Sequence, residues 1–186
     1  MGQRVREVLR RRVSLLAAVL GVFACGGGQA WAQEGEDPTS AILRVVEEDL
    51  QSGELVRAKE ALLALDRDRL SDAHRERAFE LMMGVDRRMR FADPIDMSLQ
   101  KASVALDWGD VRAAERHASA ARRADGASES QIAEAEALLR DAESLRSQMR
   151  PLAKTALRQA VMDFERGDYS AAKSALDSVH RSGADL

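Results

Sequence analysis

The chain has 186 residues, enough for a continuous core within one domain. Charged residues make up 32% of it and aromatics only 4%, with three prolines, a mixture that suits helices and disfavours strands. The net charge is −3, and outside the N terminus no basic stripe is evident in the sequence. That argues against nucleic acid or an anionic membrane surface as partner, since both need clustered positive charge.

Residues 1–32 read as a secretory signal peptide. Arg4, Arg6, Arg10, Arg11 and Arg12 against Glu7 give this stretch a net +4, so the rest of the chain carries −7. Val13–Ala24 is an apolar run of twelve residues, too short for the roughly twenty that span a bilayer. Gly26-Gly27-Gly28 breaks it, and Ala30-Trp31-Ala32 places small residues at the −3 and −1 positions of a cleavage site before Gln33. A second processing site competes. Val22-Phe23-Ala24-Cys25 resembles a lipobox, in which Cys25 is lipidated and becomes the first mature residue, anchoring a lipoprotein. Arg10-Arg11-Arg12 hints at a twin-arginine signal, but Ser14 interrupts the apolar residues expected after it. The expected location is the periplasm or cell envelope of a bacterium. Cys25 is the only cysteine, so cleavage after Ala32 leaves no thiol for a disulfide, a metal site or a nucleophile.

Residues 33–39 (QEGEDPT) form a flexible lead-in. Three segments then align without gaps on a glycine: LRVVEEDLQSGELVRAKEALLAL from Leu43, LQKASVALDWGDVRAAERHASAA from Leu99 and LRQAVMDFERGDYSAAKSALDSV from Leu157. Their glycines, Gly53, Gly109 and Gly167, are 56 and 58 residues apart. At ten, seven and three residues before each stand Leu43/Val46/Leu50, Leu99/Ala102/Leu106 and Leu157/Ala160/Phe164, one face of a helix. The glycine can end that helix in the left-handed conformation. An acid follows (Glu54, Asp110, Asp168), placed for the N terminus of a second helix, then an apolar residue (Leu55, Val111, Tyr169). The alanines at plus five, Ala58, Ala114 and Ala172, let two antiparallel helices approach closely.

Gly-Asp-Tyr-Ser-Ala-Ala-Lys-Ser-Ala-Leu (167–176) resembles the second half of a tetratricopeptide repeat, with the Ala-x-x-x-large pairing kept as Ala172–Leu176 and Ala58–Leu62. The first helices lack the family's Trp and Leu-Gly-x-x-Tyr signature, and the period exceeds the family's 34. The extra length predicts a third helix in each unit: one capped by Ser71, with Ala78, Leu81, Met82, Val85 and Met89 on a face, and one entered through Asp125–Ser130, with Ile132, Ala135, Leu138, Leu139, Ala142, Leu145 and Met149. Pro94 and Pro151 fall where the next units begin, suited to a first helical turn. The expected fold is all-α, antiparallel hairpins stacked as a tetratricopeptide-like α-solenoid with a three-helix unit of about 57 residues. The units run over about 40–93, 94–150 and 151–186. The last is incomplete, since Leu186 matches Asp72 of the first unit, where the third helix should begin.

Catalytic patterns are not evident. There is no His pair at metal-binding spacing, no Gly-x-Ser-x-Gly elbow and no phosphate loop. His74, His117 and His180 stand apart in sequence, and His117 occupies the position of Ala61 and Ala175, as a packing or rim residue. Glu47-Glu48 and Asp66/Asp68 read as solvated faces, and Met82-Met83 as core. Trp108, where the other segments have Ser52 and Arg166, suits either a partner contact or packing over the turn. These features describe an exported, non-catalytic scaffold, without cofactor or metal, that binds protein or peptide partners, as the resemblance implies. The alternative is the N-terminal module of a larger envelope assembly, such as an outer-membrane secretin of a secretion system, or a truncated fragment of one. Intact-mass measurement of the exported chain should show loss of residues 1–32, whereas a mature form beginning at diacylated Cys25 would assign the lipobox.

Overall fold

The computed structural model describes residues 37–184. The stretch read as a signal peptide, with Cys25, Ala30 and Ala32, and most of the expected lead-in lie outside the described residues. Within them the protein is all-α. Seven helices follow one another: α1 Pro38–Ser52, α2 Leu55–Leu63, α3 Asp72–Met89, α4 Pro94–Asp107, α5 Val111–Arg122, α6 Glu129–Glu165 and α7 Tyr169–Ser182. A 3-10 turn, Arg67–Arg69, leads into α3. No described helix is long and apolar enough to cross a membrane.

The three glycine turns share one hydrogen-bonding scheme. Gly53, Gly109 and Gly167 have φ of 84°, 71° and 80°. The next residue in each case donates its N–H five residues back, Glu54 to Asp49 O at 2.8 Å, Asp110 to Ala105 O at 2.8 Å and Asp168 to Asp163 O at 2.9 Å, the bond that closes a Schellman C-cap. The acid then starts the second helix. Asp110 and Asp168 accept from the N–H groups of Ala113 and Ala171 at 2.9 and 3.0 Å, whereas Glu54 makes no side-chain cap bond. Ala58, Ala114 and Ala172 follow, each buried where the two helices meet.

The described residues from Thr39 onward make one compact unit, within which the core passes from hairpin to hairpin. Leu43 and Val46 of α1, Ala58 and Leu62 of α2, and Leu81 and Val85 of α3 form one cluster. Leu55 and Val56 of α2 meet Met97 and Val104 of α4 in the next. Beyond it, α4, α5 and the first half of α6 share two clusters, Ala105–Val111–Ala114–Ala142 and Leu99–Ala121–Ala135. Polar contacts join the first two hairpins. Gln100 donates to Gly53 O at 2.8 Å and accepts from Val56 N–H at 3.2 Å, and Arg57 pairs with Asp107 at 2.6 Å.

Helix starts follow their caps. Ser71 accepts from His74 N–H, and Ser128 forms a capping box with Gln131. Pro94 occupies the first turn of α4 behind its cap Asp93. Pro151 does not open a helix, in contrast to the sequence expectation: it sits inside the 37-residue α6. Proline there removes one helix hydrogen bond, at a cost of about 3 kcal/mol. The buried alanines on either side, Ala135 and Ala142 before it and Ala153 and Ala160 after it, offset that cost by packing α6 against α4 and α5 at one end and α7 at the other. Helix α1 likewise starts at Pro38, inside the predicted lead-in. Met82 is partly buried on the first cluster as expected, but Met83 is exposed.

Two substitutions test the turn and the contact behind it. Gly109→Ala places a Cβ on a left-handed residue and should cost about 1–2 kcal/mol, and Ala114→Leu should cost about 1–3 kcal/mol by overpacking. Urea unfolding of the full chain measures both, and a wild-type midpoint for either would refute the assignment.

Candidate functional site

The third hairpin, α7 against the second half of α6, departs from the other two in what lies over it. Leu43 and Leu62 are buried beneath α3. Leu99, in the next hairpin, is buried with Ala135 of α6. The matching residues of the third hairpin face solvent: Leu157 is 36% exposed and Leu176 47%. Tyr169, which replaces buried Leu55 and Val111, is 65% exposed, and Phe164 is 63% exposed. Their rings meet edge to face with centroids 5.4 Å apart, a favoured aromatic geometry. Val161, one turn after Leu157, adds to the stripe. Ala160 and Ala172 stay buried, so the hairpin itself is closed and its outer apolar face is open.

A second surface is charged. Arg112 and Arg116 on α5 and Arg123 at its C-cap stand at i, i+4 and i+11, so the fold assembles a basic face that the acidic composition conceals. With Glu115, Ser119, Arg146 and Gly183 they line an open groove of about 510 Å³. Arg146 is already committed there, paired with Glu115 across α5 and α6 and with Glu143 on its own helix. The end of α7 closes against this groove, since a Cβ on Gly183 would lie 3.4 Å from Arg112, Arg146 and Val111.

The residues singled out from the sequence are dispersed over these elements. Gly53, Gly109 and Gly167, with Ala58, Ala114, Ala172 and Asp168, build the turns and the contacts behind them. Tyr169 alone among the repeat-motif residues belongs to the open face. Trp108 caps the end of α4, 43% exposed, on a different hairpin. No group of three or more His, Cys, Asp or Glu arranged for a metal occurs among the described residues. His74 lies 3.1 Å from Ser40 Oγ. His117 is half-buried on α5, and partial burial holds its pKa below the ordinary imidazole value, helped by Arg116 and Lys101 and opposed by Asp110. Sequence reading missed Gln100 and the arginine face. The latter had a signal, the spacing of Arg112, Arg116 and Arg123.

The chain matches no protein-family model, no curated protein and no solved structure.

The depressed pKa of His117 has a definite sign. The folded state resists protonation, so the unfolded chain binds the proton first as pH falls. Stability should be full above the ordinary imidazole pKa and decline as pH drops through it. Urea midpoints at about pH 7.5 and pH 5.5 should show this decline, and His117→Gln should flatten it; an equal slope in the variant would remove His117 as its source.

Proposed function

We propose that the protein is an exported, non-catalytic scaffold of tetratricopeptide-like hairpins that holds a protein or peptide partner. The open apolar face of the third hairpin, Leu157, Val161, Phe164, Tyr169 and Leu176, carries this reading. Apolar side chains gathered in one place at this exposure mark an interaction surface far more often than scattered single ones do. Export rests on the order of basic, apolar and small residues in 1–32. The likeness to tetratricopeptide repeats rests on the glycine turn followed by a buried alanine at plus five, found in all three hairpins.

The test is capture from an envelope extract by the full chain and by the double variant Leu157→Glu/Leu176→Glu. Both positions are exposed, so the variant should keep its helical circular dichroism while losing the polypeptides retained by the wild type. Burying a leucine contributes about 1.5–3 kcal/mol, so each loss should weaken retention by about tenfold or more. Retention unchanged by the variant at every salt concentration would move the partner surface elsewhere, and no retained polypeptide at all would overturn the scaffold reading.

A further inference from the structure

The two covered hairpins specify what the third should receive. The helices lying over them present the same apolar spacing. On α3 it is Ala78, Met82, Val85 and Met89, and on α6 it is Leu138, Ala142, Leu145 and Met149, both at i, i+4, i+7 and i+11. All eight residues lie in or against the shared clusters. Immediately after the third residue of each set comes a charge that pairs with the underlying hairpin at one fixed place, six residues after its glycine. Asp86 of α3 pairs with Lys59 at 2.9 Å, and Arg146 of α6 pairs with Glu115. In the third hairpin that position is Lys173, which is exposed and makes no ion pair among the described residues.

We infer that the open face of α6 and α7 is the seat of an acidic amphipathic helix from a partner protein, lying as α3 and α6 lie on the first two hairpins. This deepens the scaffold reading above and rests on it. Such a helix carries apolar residues at i, i+4, i+7 and i+11 over Leu157, Phe164 and Leu176, with a carboxylate at i+8 facing Lys173. The rim supports the acidic character. Arg150, Lys154 and Arg158 run along the exposed side of α6 beside Leu157 and Val161, and with Lys173 they outnumber the rim carboxylates Glu165 and Asp177. At 36% to 65% exposure the five apolar side chains offer on the order of 500 Å², in the upper range for a patch on a monomer. A second copy of this chain fits less well. Its own helix of matching pattern, α3, is held in its first hairpin by buried Leu81 and Val85, and face-to-face pairing of two third hairpins would oppose two basic rims.

The probe is a labelled synthetic peptide of residues 71–90 carrying Arg75→Glu, Arg87→Glu and Arg88→Glu, which keeps the α3 apolar pattern and Asp86 on an acidic helix. Fluorescence anisotropy against the full chain should show saturable binding. Leu157→Glu and Leu176→Glu in the chain should each weaken it about tenfold or more. Lys173→Glu should weaken it by up to about fivefold, the range of a partly exposed ion pair. A peptide that also carries Asp86→Lys should regain that loss on the Lys173→Glu chain. Absence of binding, binding indifferent to Leu157 and Leu176, or no exchange of preference between the two charge-reversed partners would overturn the proposal. So would a dimer in sedimentation velocity that Leu176→Glu dissolves. If extract capture still depends on Leu157 and Leu176 while the peptide fails to bind, the acidic-helix assignment falls and the scaffold reading stands.

Discussion

The close approach of two helices at an alanine, set in register by a left-handed glycine five residues earlier, is the constraint from which the rest follows. A side chain larger than a methyl group at Ala58, Ala114 or Ala172 would push the helices apart. A residue unable to hold φ near +80° would lose the bond from the following N–H to the carbonyl five residues back. With both fixed, the apolar positions ten and seven residues before the glycine come to the same side as those nine residues after it. The result is a shallow apolar trough between two helices, which cannot be left to water without loss of the burial that stabilises a chain with so few aromatic residues. In the first two hairpins a third helix fills it.

Which helix fills which trough is set by charge as well as shape. The position six residues after the glycine is Lys59 in the first hairpin and Glu115 in the second, and the covering helices carry Asp86 and Arg146 to match. Exchanging the helices would set Asp86 against Glu115 and Arg146 against Lys59, two like-charge contacts in place of two ion pairs. Each pair is partly exposed and contributes at most about 1 kcal/mol, yet the difference between correct and exchanged arrangements is larger, because repulsion adds to the lost attraction. Other polar links reinforce the choice: Arg77 reaches back to Glu47 at 2.7 Å in the first hairpin, and Gln131 ties the start of α6 to Asp93 and Asp96. Lys173 has the sign of Lys59.

Much of this was legible in the sequence because it is local. The glycine turns, the acids after them, the Ser71 cap, the helix start at Pro94 and the apolar faces each depend on residues within one or two helical turns, and the structure has them where the spacing puts them. Pro151 was read wrongly for the same reason. Local preference places proline at a helix start, and only the packing of Ala135, Ala142, Ala153 and Ala160 against three other helices decides that α6 continues through it. Gln100, which ties α4 to the first turn 47 residues earlier, left no local trace. The open face was half legible. The alignment put Leu157 on the apolar face of one helix and paired Leu176 with Ala172 on the next, but whether a further helix covers them is a tertiary fact. The arginine face of α5 was present as a spacing and overlooked because the net charge of the chain has the opposite sign.

The continuity of α6 gives the open face its mechanical setting. One helix covers the second hairpin with its first half and builds the third with its second, so the trough under Leu157 and Phe164 belongs to the same rod as Ala142, Leu145 and Met149. The end of α7 is fixed as well, because Gly183 closes on Val111 and Arg112 of α5. Both walls of the trough are thus held by the packed part of the molecule, and a ligand need not order them on arrival. That matters for so small a surface. At about 25 cal/mol per Å², a patch on the order of 500 Å² supplies roughly 12 kcal/mol from this chain's side of a contact. Association costs an estimated 4–15 kcal/mol before any ordering of the site. A trough that also had to be assembled would leave less of that gain for affinity, whereas a preformed one would favour the reversible complex proposed above.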